Sequence, residues 1–363
     1  MSEEVLYNPF DPSFLADPYR HYAPLLSGPP RRVNMGLPAV LIARYADVVT
    51  VVRDHLRFSS VLPQYAIVPG ADPFGGVPTM PFSDPPVHTR LRRLVARDFS
   101  PRRINALEPR IREIAGRLLD ENVSGRRLEA MSALADQLPV VIIAEMLGVP
   151  AEHHARFRKW SDAIASNSAA MPGTAIDPVV SESVSALREY FTRQIERRRA
   201  EPADDLVSAL VAAHDTAEKI STDELLAFVV LLLLAGNETT TNLIGNGLLA
   251  LARNPAEYQR LRGDRTLIPS AVEEMLRYDS PIQTLMRFAT TDTTVSGTPV
   301  ESGALLAVIF GAANRDPAQF PEPERFDVGR TPNDHVAFGE GIHFCLGAPL
   351  ARLEARVALE TIV

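Results

Sequence analysis

The feature that most limits what this chain can become is "STDELLAFVVLLLLAGNETTTNLIGNGLLALARNP", residues 221–255. Ser221 and Glu224 form the Ser-x-x-Glu pattern of a capping box, and Asn254-Pro255 closes the run. The spacing predicts one helix of about 32 residues, roughly 48 Å long at 1.5 Å per residue. Its centre is apolar all round, so such a helix must cross the middle of a fold. The longest apolar run, Leu225 to Ala235, is well short of the ~18 residues a membrane span needs, and no membrane crossing is expected.

The centre of this helix is then interrupted by Ala235, Gly236, Asn237, Glu238, Thr239, Thr240 and Thr241. A mid-helix glycine costs about 1 kcal/mol against alanine, and three successive threonines are poor helix formers. An unpaired buried carboxylate costs more. Folding alone would favour leucine here. The functional reading is that Gly236 lets something approach the backbone closely, while Glu238 and Thr239 offer an acid and a hydroxyl for proton delivery inside an apolar site.

The rest of the chain reads as mainly α with a small β-rich portion. "AVLIA" (39–43) is expected as a buried strand running into the helical "RYADVVTVVRDH". Residues 60–82, rich in proline, glycine and large apolar side chains, read as a lid or binding loop, with a plain surface loop as the alternative. Helical patterns follow over "PPVHTRLRRLVARDF", "SPRRINALEPRIREIAGRLLDENV", 129–147, 152–165 and 178–199. Past about residue 280 short strands and turns take over, until "LGAPLARLEARVALETIV" turns helical again. No linker separates two cores, so one domain over 1–363 is expected.

Composition sets the class. With 46% hydrophobic and 23% charged residues the chain is an ordinary globular one, and its net charge of −8 argues against nucleic acid as a partner. The start, "MSEEVLYNPFDPSFL", lacks the basic-then-apolar pattern of a signal peptide. The single cysteine, Cys345, excludes an intramolecular disulfide. A cytoplasmic, soluble protein is expected.

Cys345 sits in "FGEGIHFCLG" (338–347), among Gly339, Gly341 and Gly347. A small buried residue near a turn is the plain explanation. Yet a thiolate just before a helix N-terminus is stabilised by free backbone N–H groups and the helix dipole. Glycines let such a loop approach a flat ligand. A lone thiolate suffices for a metal already held by four nitrogens, a condition haem iron meets. Three further patterns accompany it. In "EEMLR" Glu274 and Arg277 share a helix face at i and i+3, with Arg325 of "PERF" as a candidate third partner. In "HTRLR" His88 and Arg92 stand at i and i+4, able to face one anion, or to be an ordinary solvated basic face.

"FGEGIHFCLG", "AGNETT", "EEMLR" and "PERF", in that order, resemble the signatures of the cytochrome P-450 family, closest to its soluble bacterial branch. The resemblance implies that family's fold, a long central helix over a buried haem, and haem b as cofactor. It makes Cys345 the proximal iron ligand, with Phe338 packing beside the loop formed by Gly339 and Gly347, and Ala235 and Gly236 bordering the haem. Glu238 and Thr239 match the acid–alcohol pair, and Glu274, Arg277 and Arg325 the network supporting the haem loop. His88, Arg92, Arg287 and His343 fall at positions that hold the haem propionates. The chemistry implied is monooxygenation with O2, the thiolate favouring O–O cleavage. Family members usually continue past the point corresponding to Val363 into a β-hairpin, so a domain lacking that hairpin is expected.

No dinucleotide fingerprint, P-loop, H-E-x-x-H or C-x-x-C occurs. Electrons are therefore expected from separate proteins, a ferredoxin and its reductase. Arg90, Arg92, Arg93, Arg97, Arg102 and Arg103 form a basic cluster that could dock an acidic redox partner, or be a solvated face. The 60–82 loop, the 166–180 segment, the central helix near Ala235 and "IQTLM" (282–286) are candidate substrate linings. They are mostly apolar, with Gln283 and Thr284 as polar contacts, and imply a lipophilic small-molecule substrate of a monomeric enzyme. A peroxide-driven peroxygenase and a non-catalytic haem sensor remain open; the acid–alcohol pair speaks against the first.

Overall fold

The computed structural model describes residues 8, 9, 11–34, 38–63, 74–125, 127–166, 177–214 and 220–363. Two compact units emerge, one built from Met1–Val61 and Asn246–Cys345, the other from Leu62–Gly245 and Leu346–Val363.

The first unit holds the sheet. Its strands are β1 (Arg31–Asn34), β2 (Pro38–Ile42), β3 (Phe58–Ser59), β4 (Thr284–Ala289), β5 (Thr293–Val295), β6 (Thr298–Val300) and β7 (Leu305–Ile309). Five of them form one sheet in the order β1-β2-β7-β4-β3, and β5 and β6 form a separate hairpin. The predicted strand 39–43 is thus real, shifted by one residue. β2 and β7 run parallel, Ala39 opposite Leu305 and Ile42 opposite Val308, while their other neighbours are antiparallel. Both are unbroken apolar runs because both faces are covered. Val40, Ile42, Leu306 and Val308 pack on Val48, Val51 and Val52 of the helix Tyr45–Arg53. Leu41, Ala307 and Ile309 face Phe14, Tyr22 and Leu25 of the N-terminal helices.

An ion pair with no exposed surface lies at the heart of this unit. Glu274 and Arg277, on the helix Ile268–Tyr278, meet through two 2.8 Å hydrogen bonds, and both side chains are 0% exposed. Arg277 also donates to the carbonyls of Asn314, Pro323 and Arg325. The expected third partner is corrected: the side chain of Arg325 points to Glu322 and is 55% exposed, contributing only its carbonyl. The guanidinium on Glu274 belongs to Arg330, whose Nε lies 3.1 Å from Oε2. Arg330 stands five residues beyond Arg325 and reaches back into the core.

The second unit is helical. The central helix spans Thr222–Arg253, belonging to this unit as far as Gly245, and both halves of its capping box are made: Ser221 N–H donates to Glu224, and Glu224 N–H to Ser221 Oγ. By length and composition it could cross a membrane, but Leu225 to Leu233 are buried in the protein core. Two helices predicted as continuous are each broken where a proline begins a new one: Pro101–Asn105 then Glu108–Asn122, and a π-turn Met131–Ala135 then Leu138–Met146. The helix Ala348–Ile362 packs on Glu108–Asn122, with Arg356 bridging Glu108 at 2.6 Å and Glu360 at 3.5 Å.

Glu354 on that helix is fully buried, its Oε2 meets no hydrogen-bond partner, and burial pushes its pKa up to about 8. Two outcomes follow from these buried charges. Arg330→Leu is expected to cost about 3 kcal/mol by leaving Glu274 underpaired, and Arg325→Leu under about 0.5 kcal/mol, read by urea denaturation. Glu354 stays protonated in the fold while the unfolded chain ionises above its ordinary value of 4.5. Stability therefore falls as pH rises from about 4.5 to about 8, then levels. Glu354→Gln is expected to flatten that slope and to raise the melting temperature at pH 8, measured by calorimetry across the range.

Candidate active site

The loop carrying Cys345 is shaped before any ligand is considered. The backbone N–H of Cys345 donates to Phe338 O at 2.9 Å, closing the turn. Gly339 and Gly341 both have φ +69°, the left-handed region glycine tolerates. Gly341 is required a second time, since a Cβ there would lie 3.1 Å from Val52 O and 3.2 Å from Arg53 Cα. Its close approach is thus to the helix Tyr45–Arg53, whose Arg53 also pairs with Glu340 at 3.1 Å. Phe338 and Phe344 stand edge to face, centroids 6.3 Å apart. Cys345 is half-buried, and Gly347 caps the helix that begins three residues after it.

The lead-in to the loop hangs from the Glu274 network. Asn333 Nδ2 donates to Glu274, and Val336 N–H donates to the buried Asn314 Oδ1 at 2.8 Å. His335, expected only as a structural or surface residue, accepts from Ala337 N–H through Nδ1. Its Nε2 therefore faces Glu273 at 3.1 Å as the donor. In the same unit Ser60 Oγ meets His343 Nε2 at 3.0 Å, and Arg287, 6% exposed on β4, donates to Met286 O. Gln283 is not available as a polar wall: its amide donates to Tyr19 OH and Ser280 O in the core. Leu285 and Met286 beside it are 41% and 56% exposed.

In the second unit, His88 and Arg92 do share one helix, Val87–Ala96, with His88 2% exposed. Arg90 leaves the expected basic cluster to pair with Glu224 at the start of the central helix, while Arg93, Arg97, Arg102 and Arg103 remain exposed. Pro78, Thr79 and Met80 line a small, mostly apolar pocket with Phe228 and Leu231. Residues 64–73 and 167–176 of the two expected lining segments lie outside the described residues.

The interrupted turn of the central helix divides its tasks. Thr239 Oγ1 donates to Ala235 O at 2.6 Å. Glu238, expected inside an apolar site, is exposed, as is Ala235, on a helix that is otherwise buried from Leu225 to Leu233. Gly236 is explained by packing: a Cβ there would fall 2.8 Å from Ile143 Cδ1, so the close approach it permits is made by the helix Leu138–Met146. Asn237 bonds Ser161, and Thr241 donates to Ala135 O at 2.9 Å.

A half-exposed thiol in a preformed turn is a fitting donor for a metal that brings its other ligands with it. Among the described residues no group of three or more His, Cys, Asp or Glu could hold a metal ion unaided. The residues present therefore fit a haem, and fold and site together define a haem-thiolate protein.

The chain belongs to the cytochrome P450 family, whose model matches residues 31–363. It is 44% identical to the vitamin D(3) 25-hydroxylase of Pseudonocardia autotrophica, over 96% of this chain and 86% of that protein. It is 43% identical to the mycinamicin IV hydroxylase/epoxidase of Micromonospora griseorubida, over 92% and 83%. The solved structure of cytochrome P450 CYP109Q5 from Chondromyces apiculatus superposes with a TM-score of 0.87 at 39% identity, covering 97% of this chain and 88% of that one. The chain is accordingly a haem b monooxygenase, an oxidoreductase that inserts one oxygen atom from O2 into a lipophilic small molecule with electrons from redox partners.

If Gly236 is a packing glycine, Gly236→Ala is expected to destabilise the fold by about 1–2 kcal/mol through overpacking. Ile143→Val in the same chain is expected to recover most of that loss. A double-mutant cycle in urea checks it, and purely additive effects contradict the assignment.

Proposed function

We propose that Cys345 is the thiolate that would hold the haem iron, that Glu238 and Thr239 deliver protons, and that the substrate is a bulky polyketide or steroid-like lipophile. What carries this reading is the central helix itself: an exposed acid and a half-exposed hydroxyl stand side by side just past the buried run Leu225–Leu233. The bound haem supplies activation of dioxygen. Thr239 Oγ1 donates to Ala235 O and keeps its acceptor capacity, so it can accept one proton while releasing its own from Ala235 O. Glu238 stands exposed one residue away, on the side open to solvent. Arg92, Arg287, His88 and His343 hold the cofactor's carboxylates, and Phe338, Gly339, Gly347 and Ala235 shape its contact surface. The relatives named for vitamin D3 and mycinamicin IV support the substrate class.

A ferredoxin with its reductase supplies the electrons, docking on the exposed Arg93, Arg97, Arg102 and Arg103. The protein works as a single-domain monomer in the cytoplasm. Two variants test the core of this reading. Cys345→Ser is expected to abolish the red-shifted Soret band of the ferrous carbon monoxide complex. Thr239→Ala is expected to keep that band but divert electrons to peroxide, lowering product per electron by about tenfold or more. Full coupling in Thr239→Ala would remove the proton-delivery role.

A further inference from the structure

Asn237 is the residue of the interrupted turn that neither catalysis nor simple packing explains. It is 6% exposed, and its Nδ2 donates to Ser161 Oγ at 2.7 Å, on a side chain that is 0% exposed. Its Oδ1 is buried and meets no hydrogen-bond partner, so the amide is only half satisfied. A leucine of similar size would avoid that cost and would suit the helix better. A buried polar contact kept at such a cost is the kind of device that fixes one register between two helices. Here the second helix is His154–Ala165.

The location matters because the turn is soft. A threonine hydroxyl bonding its i−4 carbonyl competes with the backbone ladder and bends a helix, and Thr239 does this to Ala235. Asn237 lies midway between those two residues. Ile143 against Gly236 and Ala135 O on Thr241 hold the turn on either side of it.

We infer that Asn237 is a positioning residue, whose hydrogen bond to Ser161 clamps the softened turn so that Glu238 and Thr239 keep a fixed height and direction. The inference rests on the proton-delivery reading of that pair. It gives the helix His154–Ala165 a direct mechanical connection to the backbone of the two residues that move the proton. Any displacement of that helix is then felt at the acid–alcohol pair.

The test uses the full chain with haem, as Ser161→Ala, Asn237→Leu, the double variant, and Thr239→Ala as reference. Amide hydrogen exchange over residues 235–243 and the C–O stretch of the ferrous carbon monoxide complex are read together. Each single variant is expected to speed exchange of the 238–241 amides about tenfold, with the double variant no faster than either. Exchange elsewhere stays unchanged, and the C–O band shifts in the direction that Thr239→Ala shifts it. Ser161→Ala, the smaller change, keeps the test alive if Asn237→Leu folds poorly. Exchange within about twofold of the parent, additive effects, or a loss of protection throughout the helix overturns the inference. If Thr239→Ala itself leaves the C–O band unmoved, the proton-delivery reading fails instead, whatever the exchange shows.

Discussion

Everything that places Cys345 depends on a buried ion pair. Taking Glu274 and Arg277 out of water costs several kcal/mol per ion, and their mutual attraction alone would barely offset it. What tips the balance is the rest of the coordination. Glu274 accepts from Arg277, Arg330, Asn333 and the backbone N–H of Asp327; Arg277 satisfies the carbonyls of Asn314, Pro323 and Arg325. Those backbone groups lie in a stretch that has no regular ladder to serve them, and buried carbonyls without donors are expensive. The pair is therefore a scaffold for irregular backbone more than a stabilising contact in its own right. A leucine pair could fill the volume but could not hold the chain between Asn314 and Val336 in this path.

The cysteine loop inherits its stiffness from that scaffold. Asn314 anchors Val336, two residues before Phe338, and Phe338 O then receives the N–H of Cys345. Gly341 is pressed on the helix Tyr45–Arg53, so the turn is held from two sides by its own unit. A ligand loop fixed in this way loses little entropy when a metal binds, which is the advantage of preorganisation. It also limits what can be changed: any side chain at position 341 meets strained φ and a backbone wall together.

The elements with strong local signals were legible in the sequence. The capping box at Ser221 and Glu224, the apolar strand at 39–42 and the cysteine turn all appear where local chemistry demands them. What was not legible depends on long-range geometry. Arg325 and Arg330 lie five residues apart in one irregular segment, and nothing local says which guanidinium turns inward. Gln283 reads as a polar wall by composition but is drawn into the core by Tyr19, sequence-distant by 264 positions. The helix breaks at Ala106 and Asp136 precede prolines by three residues, a signal present in the sequence and overridden by an apolar periodicity that ran on through them.

The interruption of the central helix, taken with the following Asn242, then resolves into two faces. At about 100° per residue, Ala235, Glu238, Thr239 and Asn242 fall within an arc of roughly 100°, and Gly236, Asn237, Thr240 and Thr241 within one of roughly 140° opposite. The first set is exposed or half-exposed. In the second, Thr240 is 4% exposed, and the other three engage Ile143, Ser161 and Ala135. Residues that look like one polar motif in the sequence are thus two interleaved sets, one exposed or half-exposed and one gripping neighbouring elements. Interleaving couples them without any long pathway, because each gripping residue lies within two peptides of Glu238 or Thr239. A helix that needed only to carry an acid and an alcohol could have kept leucine on its other side. On the proposed reading of Glu238 and Thr239, the packed face is what holds that pair in place.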